Sequence, residues 1–146
     1  MKVKIKKLHP DAITPKYAKP GDAGLDLVAV SCKVLVDSLT DEDTKVEVDS
    51  GIAVEIPEGY VGLIFPRSSI KGTGVRLTNC VGVIDSGYRG SIKAYFDIID
   101  KSLVYYEKGD KFAQLLIIPY PQIELEEVEE LTKTERGASG YGSSGK

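Results

Sequence analysis

Apolar and polar residues alternate with a period of two along most of the chain. Val3 and Ile5 sit between Lys2, Lys4 and Lys6. Ile52, Val54 and Ile56 are interleaved with Ala53 and Glu55, and Ile92, Ala94, Phe96 and Ile98 with Ser91, Lys93, Tyr95 and Asp97. Such a period turns one set of side chains into a core and the other toward water. Apolar, β-branched runs at 27–30, 33–36, 46–48, 61–65, 81–84 and 112–118 predict further short strands. Turn signals separate them: Lys19-Pro20-Gly21-Asp22, Pro57-Glu58-Gly59, Lys71-Gly72-Thr73-Gly74, Lys108-Gly109-Asp110 and Pro119-Tyr120-Pro121. Many short strands at regular spacing predict an all-β barrel or sandwich. Residues 66–71 suit a single helical turn with a serine cap. Residues 126–132 carry too many glutamates for an amphipathic helix and are expected to form an edge strand leading into a linker.

Composition narrows this picture. A chain of 146 residues fits one domain, and 42% hydrophobic with 28% charged residues is an ordinary globular balance. It excludes a wholly disordered chain, a collagen-like fibre and a disulfide scaffold. Nineteen Lys and Arg against 22 Asp and Glu give a net charge of −3, which argues against a general nucleic-acid binder but leaves room for a small anion held by local cations. Cys32 and Cys80 are far apart and there is one histidine, His9, so a Cys/His zinc site has no support. The two cysteines read as buried free thiols in a reducing compartment, and His9 is assigned no role. The basic N-terminus lacks the apolar stretch of a secretory signal, and no apolar run approaches the roughly 20 residues of a membrane span. The expectation is a soluble cytoplasmic protein without a membrane or nucleic-acid partner.

The last eleven residues read differently. Between 137 and 145 there are four glycines and three serines, which cannot build a core. This divides the chain into a folded part, 1–135, and a glycine-rich tail, 136–146. The tail is either a plain linker or an arm that closes on phosphate with Arg136, backbone N–H groups and hydroxyls, while Tyr141 stacks on a flat base.

Four further segments can carry chemistry. In Gly82-Val83-Ile84-Asp85-Ser86-Gly87-Tyr88-Arg89-Gly90, Asp85 is either a turn former or a carboxylate placed to take a proton from water. Asn79, just upstream, either reads a base edge or caps the turn. Arg67-Ser68-Ser69 suits an anion or a capped turn. Asp22-Ala23-Gly24-Leu25-Asp26-Leu27 offers two carboxylates, either solvated or facing a hydrated Mg²⁺. Gln114 lies within an apolar strand, where its amide needs a backbone or ligand partner.

Together and in this order, the segments resemble the five motifs of the trimeric dUTPases. The resemblance rests on Ala23-Gly24-Leu25-Asp26-Leu27, Pro66-Arg67-Ser68-Ser69, Gly82 through Gly90 as quoted, Gly109-Asp110-Lys111-Phe112-Ala113-Gln114, and Arg136-Gly137-Ala138-Ser139-Gly140-Tyr141-Gly142-Ser143-Ser144-Gly145. Departures are small: Tyr141 for a usual Phe, Ser144 for a common Thr, and Lys111 for a frequent Arg.

The resemblance implies a distorted jelly-roll-like β-barrel and a homotrimer with three active sites shared between subunits. It implies Mg²⁺-dependent hydrolysis of dUTP to dUMP and pyrophosphate, by water attack at the α-phosphorus, removing dUTP and supplying dUMP for thymidylate synthesis. Asp85 would be the general base and Gln114 would place the water or an α-phosphate oxygen. Arg67, Ser68 and Ser69 would hold the phosphate chain, and Asp26 would meet Mg²⁺ through water. Asn79, with backbone at Gly82, Val83 and Ile84, would read uracil, and Tyr88 would pack on deoxyribose. Lys93 is a further base-side candidate. Arg136, Gly142, Ser143 and Ser144 of the arm would bind the γ end of a neighbouring subunit's substrate, with Tyr141 stacked on uracil. The location would be cytoplasmic, or host cytoplasm or nucleus for a viral protein. Two alternatives share the fold: a dCTP deaminase-like enzyme, and a non-catalytic nucleotide-binding trimer.

Overall fold

The computed structural model describes residues 1–36, 43–103 and 105–140. It contains ten strands: β1 (Lys4–Lys7), β2 (Leu25–Val28), β3 (Ser31–Val36), β4 (Asp43–Asp49), β5 (Ile52–Glu55), β6 (Tyr60–Pro66), β7 (Val75–Leu77), β8 (Gly82–Ile84), β9 (Lys93–Ile98) and β10 (Lys111–Pro119). Two four-stranded sheets have the orders β2-β10-β6-β8 and β3-β4-β9-β7, and β1 pairs with β5. All pairings are antiparallel. Because β10 lies between β2 and β6, strands distant in sequence interleave, as in a jelly roll. Among the described residues the sheets are not closed into a barrel, so the all-β, jelly-roll-like expectation holds in the form of packed sheets.

One core fills the space between the sheets. Leu27, Ile64, Ala113 and Leu115 come from the first, and Val46, Val48, Leu77, Ala94 and Phe96 from the second. The ring of Phe96 meets Phe112 at 6.4 Å, edge to face, and Tyr106 at 4.9 Å. The Phe96–Phe112 pair thereby joins β9 of one sheet to β10 of the other.

Alternation and apolar runs together located nine of the ten strands; β7, Val75-Arg76-Leu77, has neither a run nor enough length to show a period. Three expectations need correction. Residues 126–132 form no strand: among the described residues none lies alongside to pair with them. Ile123, Leu125 and Leu131 are consequently 72%, 87% and 85% exposed. The short 3-10 turn at Ser68–Gly72 appears where a helical turn was expected, but Arg67 holds its N-cap position and no side chain caps it. Neither cysteine is fully buried. Both are free, Cys32 half-buried and Cys80 exposed in a left-handed conformation at φ 61°. Burial, with the nearby charges of Asp110 and Glu107, pushes the Cys32 thiol up to about 11, so it stays protonated and unreactive near neutrality.

Strand β10 departs from strict alternation at one place. Ala113 pairs with Leu27 and Gln114 with Asp26, but Lys111, not Phe112, pairs with Val28. This bulge lets two consecutive residues, Phe112 and Ala113, enter the core. It also turns Lys111 onto the outer face with Gln114 and Asp26. Unbroken alternation from Leu115 through Ala113 would have driven Lys111 into the core.

Candidate active site

The first group of candidate residues is assembled by β2, β10 and the end of β6. Asp26 is in the middle of β2, flanked by Leu25 and Leu27, and is 8% exposed. Arg67 follows β6 and donates Nε–H to Asp26 Oδ1 at 2.9 Å. Lys111 Nζ lies 2.8 Å from Asp26 Oδ2, a charge contact without hydrogen-bond alignment, because this buried oxygen has no aligned donor. Burial alone would raise the Asp26 carboxyl; the Lys111 and Arg67 cations outweigh it and hold the group below the usual carboxylate range. Gln114 stands opposite Asp26 in β10 and donates from Nε2 to the Pro66 carbonyl at 3.3 Å. The cavity above them, about 630 Å³, is lined by Asp22, Gly24, Asp26, Arg67, Ser68 and Gln114, among others. Ser68 and Ser69 are exposed beside it, and Ser68 is part of the lining.

Gly24 is there because nothing larger fits. A Cβ at this position would stand 2.5 Å from Gln114 Oε1 and 3.0 Å from its Cβ. Gly24→Ala therefore displaces Gln114 from Pro66, and we expect it to cost about 1–3 kcal/mol of stability as overpacking. Urea unfolding of the two chains checks this.

The Gly109-Asp110 pair is structural. Gly109 adopts φ 95°, and Asp110 Oδ2 accepts from the Glu107 backbone N–H at 2.8 Å, closing the turn that feeds β10.

The second group lies at the other end of the same sheet. β8 is an edge strand, paired only with β6 through Gly62–Ile84, Leu63–Val83 and Ile64–Gly82. Asn79 is in the turn before it, made tight by the Val81 N–H bond to the Asn79 carbonyl at 2.6 Å. A separate cavity of about 480 Å³ opens here, lined by Asn79, Gly82, Val83, Ile84, Lys93 and Tyr95 together with core residues Ile64, Leu77 and Ala94. Asp85 follows β8 directly, is exposed, and shows no side-chain partner among the described residues. The hairpin tip is fixed around it. Tyr88 N–H bonds to the Asp85 carbonyl at 3.1 Å, Tyr88 OH donates to the Ser91 carbonyl at 3.0 Å, and Arg89 Nη1 donates to the Ser86 and Tyr88 carbonyls.

Lys93 is in this second cavity but is committed. It bridges Glu47 at 3.0 Å and Asp49 at 3.5 Å, and the bond to Glu47 raises its pKa. Tyr95 donates to the same Glu47 at 2.7 Å. Tyr95 and Glu47 were not singled out by sequence; the period of two that joins Tyr95 to Lys93 on one face of β9 could have flagged Tyr95, whereas Glu47 is brought opposite it only by the β4–β9 pairing.

The two cavities share no lining residue. Three strand spacings separate β2 from β8, about 14 Å. The structure thus brings Asp26, Arg67, Ser68 and Gln114 together, and Asn79, Gly82, Val83, Ile84 and Lys93 together, but not the two sets. Arg136 joins neither; its Nε donates to the Ser139 carbonyl at 3.0 Å in an exposed local turn. Tyr141, Gly142, Ser143 and Ser144 lie outside the described residues. Among the described residues no cluster of three His, Cys, Asp or Glu side chains could hold a metal, and no helix is long and apolar enough to cross a membrane.

A family model described as dUTPase matches residues 11–145. The deoxyuridine 5'-triphosphate nucleotidohydrolase of Hydrogenobaculum sp. (strain Y04AAS1) is 41% identical over 146 residues, 99% of each chain. The dUTPase of Staphylococcus bacteriophage 80alpha, solved with dUPNHPP, is 31% identical and superposes with a TM-score of 0.83 over 99% of this chain and 98% of that one. A dUTPase variant from phage phi11 of S. aureus, solved to show the coordination of a structural Mg(II) ion, is 27% identical with a TM-score of 0.75, covering 91% of this chain and 100% of that one. The match runs through all five of the segments that build the two cavities and the tail, and this chain belongs to the dUTPase family.

Proposed function

We propose that this chain hydrolyses dUTP to dUMP and pyrophosphate. One observation carries the reading. Arg67 is oriented through Nε by a buried carboxylate, which leaves its terminal nitrogens without a protein partner among the described residues, in a cavity that also holds Gln114 and Ser68. A guanidinium presented in this way suits a phosphate chain.

Asp85 accepts a proton from water as the water oxygen attacks the α-phosphorus. The bond from that phosphorus to the bridging oxygen breaks, and pyrophosphate leaves with the bonding electrons. Gln114 orients the water or an α-phosphate oxygen. Arg67, Ser68 and Ser69 hold the phosphates. Asn79 and the β8 backbone read uracil from the second cavity, with Tyr88 against deoxyribose and Lys93 on the wall. Their donors and acceptors reject cytosine because its mismatched groups would be buried unpaired.

A Mg²⁺ ion fits the first cavity. Asp22 and Asp26 both line it, and Mg²⁺ asks the protein for only one or two carboxylates when phosphates and water supply the rest. Asp26 would meet it through water, and bound Mg²⁺ would neutralise charge on the triphosphate.

A homotrimer with shared sites accounts for the separation of the two cavities. One subunit supplies Asp26, Arg67 and Gln114, another supplies Asn79 and Asp85, and the 136–146 arm of a third closes over the substrate with Arg136, Tyr141, Gly142, Ser143 and Ser144, the rest of the chain, 1–135, being the β domain. The exposed Ile123, Leu125, Val128 and Leu131 before the arm support burial against a second copy. The reaction belongs in the cytoplasm.

The test is incubation of the full-length chain with dUTP and Mg²⁺, reading dUMP and pyrophosphate. Both products in equal amounts support the proposal. Loss of the cytosine absorbance from dCTP would favour the deaminase instead, and binding without products the non-catalytic trimer.

A further inference from the structure

We infer that Lys111 is a positioning residue of the first cavity: it braces Asp26 from the side opposite Arg67, so that Asp26 can hold Arg67 toward the phosphates. The nature of the ligand rests on the dUTP reading above; the positioning itself does not.

A strand built to strict alternation has no way to place a residue from position 111 on the Gln114 face. The extra residue of the β10 bulge does so, and it brings the Lys111 ammonium to 2.8 Å from Asp26 Oδ2. Bulges commonly re-aim one side chain near a site in this manner. Asp26 then sits between two cations, with Arg67 Nε on Oδ1 and Lys111 Nζ on Oδ2.

A carboxylate bonded on one oxygen only can rotate about its χ2 torsion and take the guanidinium with it. Engaging the second oxygen removes that freedom. Lys111 has no other ion pair among the described residues, and its side chain is 43% exposed, so its loss leaves the core intact. Its ammonium is a point charge, whereas an arginine at 111 could also reach Asp26 but with a planar fork. Charge at this position is what the geometry requires, and either cation supplies it.

The probe is inorganic triphosphate, titrated calorimetrically into the full-length chain with EDTA present, so that neither turnover nor metal enters the measurement. Lys111→Met should weaken binding about tenfold, the usual scale when a residue that orients a binding group is lost. Lys111→Arg should stay within about twofold of the parent. In an Arg67→Ala background, Lys111→Met should have almost no further effect, because the residue it serves is gone.

With dUTP and Mg²⁺, the same Lys111→Met change should raise KM much more than it lowers kcat, since phosphate binding is lost equally from ground and transition states. Unchanged triphosphate affinity in Lys111→Met overturns the inference. So does a tenfold loss that persists in the Arg67→Ala background, which would make Lys111 a direct phosphate contact. If Lys111→Met fails to fold, Lys111→Gln carries the same comparison. A chain that binds triphosphate with this coupling but does not hydrolyse dUTP would refute the activity and leave the positioning intact.

Discussion

Replacing Asp85 by Asn should lower dUTP turnover by about 10²–10⁴-fold, the loss expected when a general base is removed. The substitution keeps the size and shape of the side chain and takes away its ability to accept a proton. Asp85 is exposed and its carboxylate holds no hydrogen bond among the described residues, while its carbonyl, untouched by the change, takes the Tyr88 N–H. The hairpin tip is therefore expected to keep its form and the melting temperature to stay put. Binding of a non-hydrolysable dUTP analogue should remain within a few-fold. The decisive comparison is kcat beside analogue affinity: equal kcat in the two chains would remove Asp85 from the chemistry, whereas lost affinity with unchanged kcat would make it a binding residue.

Deleting residues 136–146 should lower kcat/KM by about 10²–10³-fold, comparable with the loss of a preorganised donor from an active site. The deletion removes the Arg136 guanidinium, the Tyr141 ring and the Ser143 and Ser144 hydroxyls proposed to meet the substrate, with the backbone N–H groups of the arm. Residues 136–140 put no side chain into the core, and among the described residues the last strand ends at Pro119 and the Arg136 side chain bonds only to Ser139. Unfolding in urea should be unchanged within experimental error, and the two measurements together separate an active-site arm from a structural tail. A truncated chain with the parent's kcat/KM would make 136–146 a plain linker.

The strands were legible because burial on one face imposes a period of two, which β9 and most of β10 show; β1, exposed throughout, and β5, buried at three consecutive positions, keep the alternation in residue type only. The bulge was not legible. It is recorded only as the adjacent pair Phe112-Ala113, which in sequence looks like any apolar doublet; which strand it faces decides its meaning. The candidate residues around Asp26, Arg67 and Gln114 were readable as motifs, yet their convergence depends on β10 lying between β2 and β6, a long-range pairing that no local signal encodes. The missing edge strand at 126–132 failed for the complementary reason. Its four glutamates are poor strand formers, a strand exists only where a neighbour offers hydrogen bonds, and none of the described residues lies alongside. Cys80 looked like a small buried residue; the tight turn that places Asn79 puts it outside.

The bulge in β10 also bears on what changes the chain can survive over evolutionary time. Substitution at 111 or 112 alters one side chain. Removing Phe112 would close the bulge into unbroken alternation: Lys111 would stay opposite Val28 and on the Gln114 face, but the core would lose the ring that meets Phe96 and Tyr106, and inserting a residue would re-phase every position before it relative to those after it. Variation in this segment should thus appear among relatives as exchanges of residue type at fixed length, while gains and losses of single residues collect elsewhere, in stretches such as 120–135 where no strand keeps count.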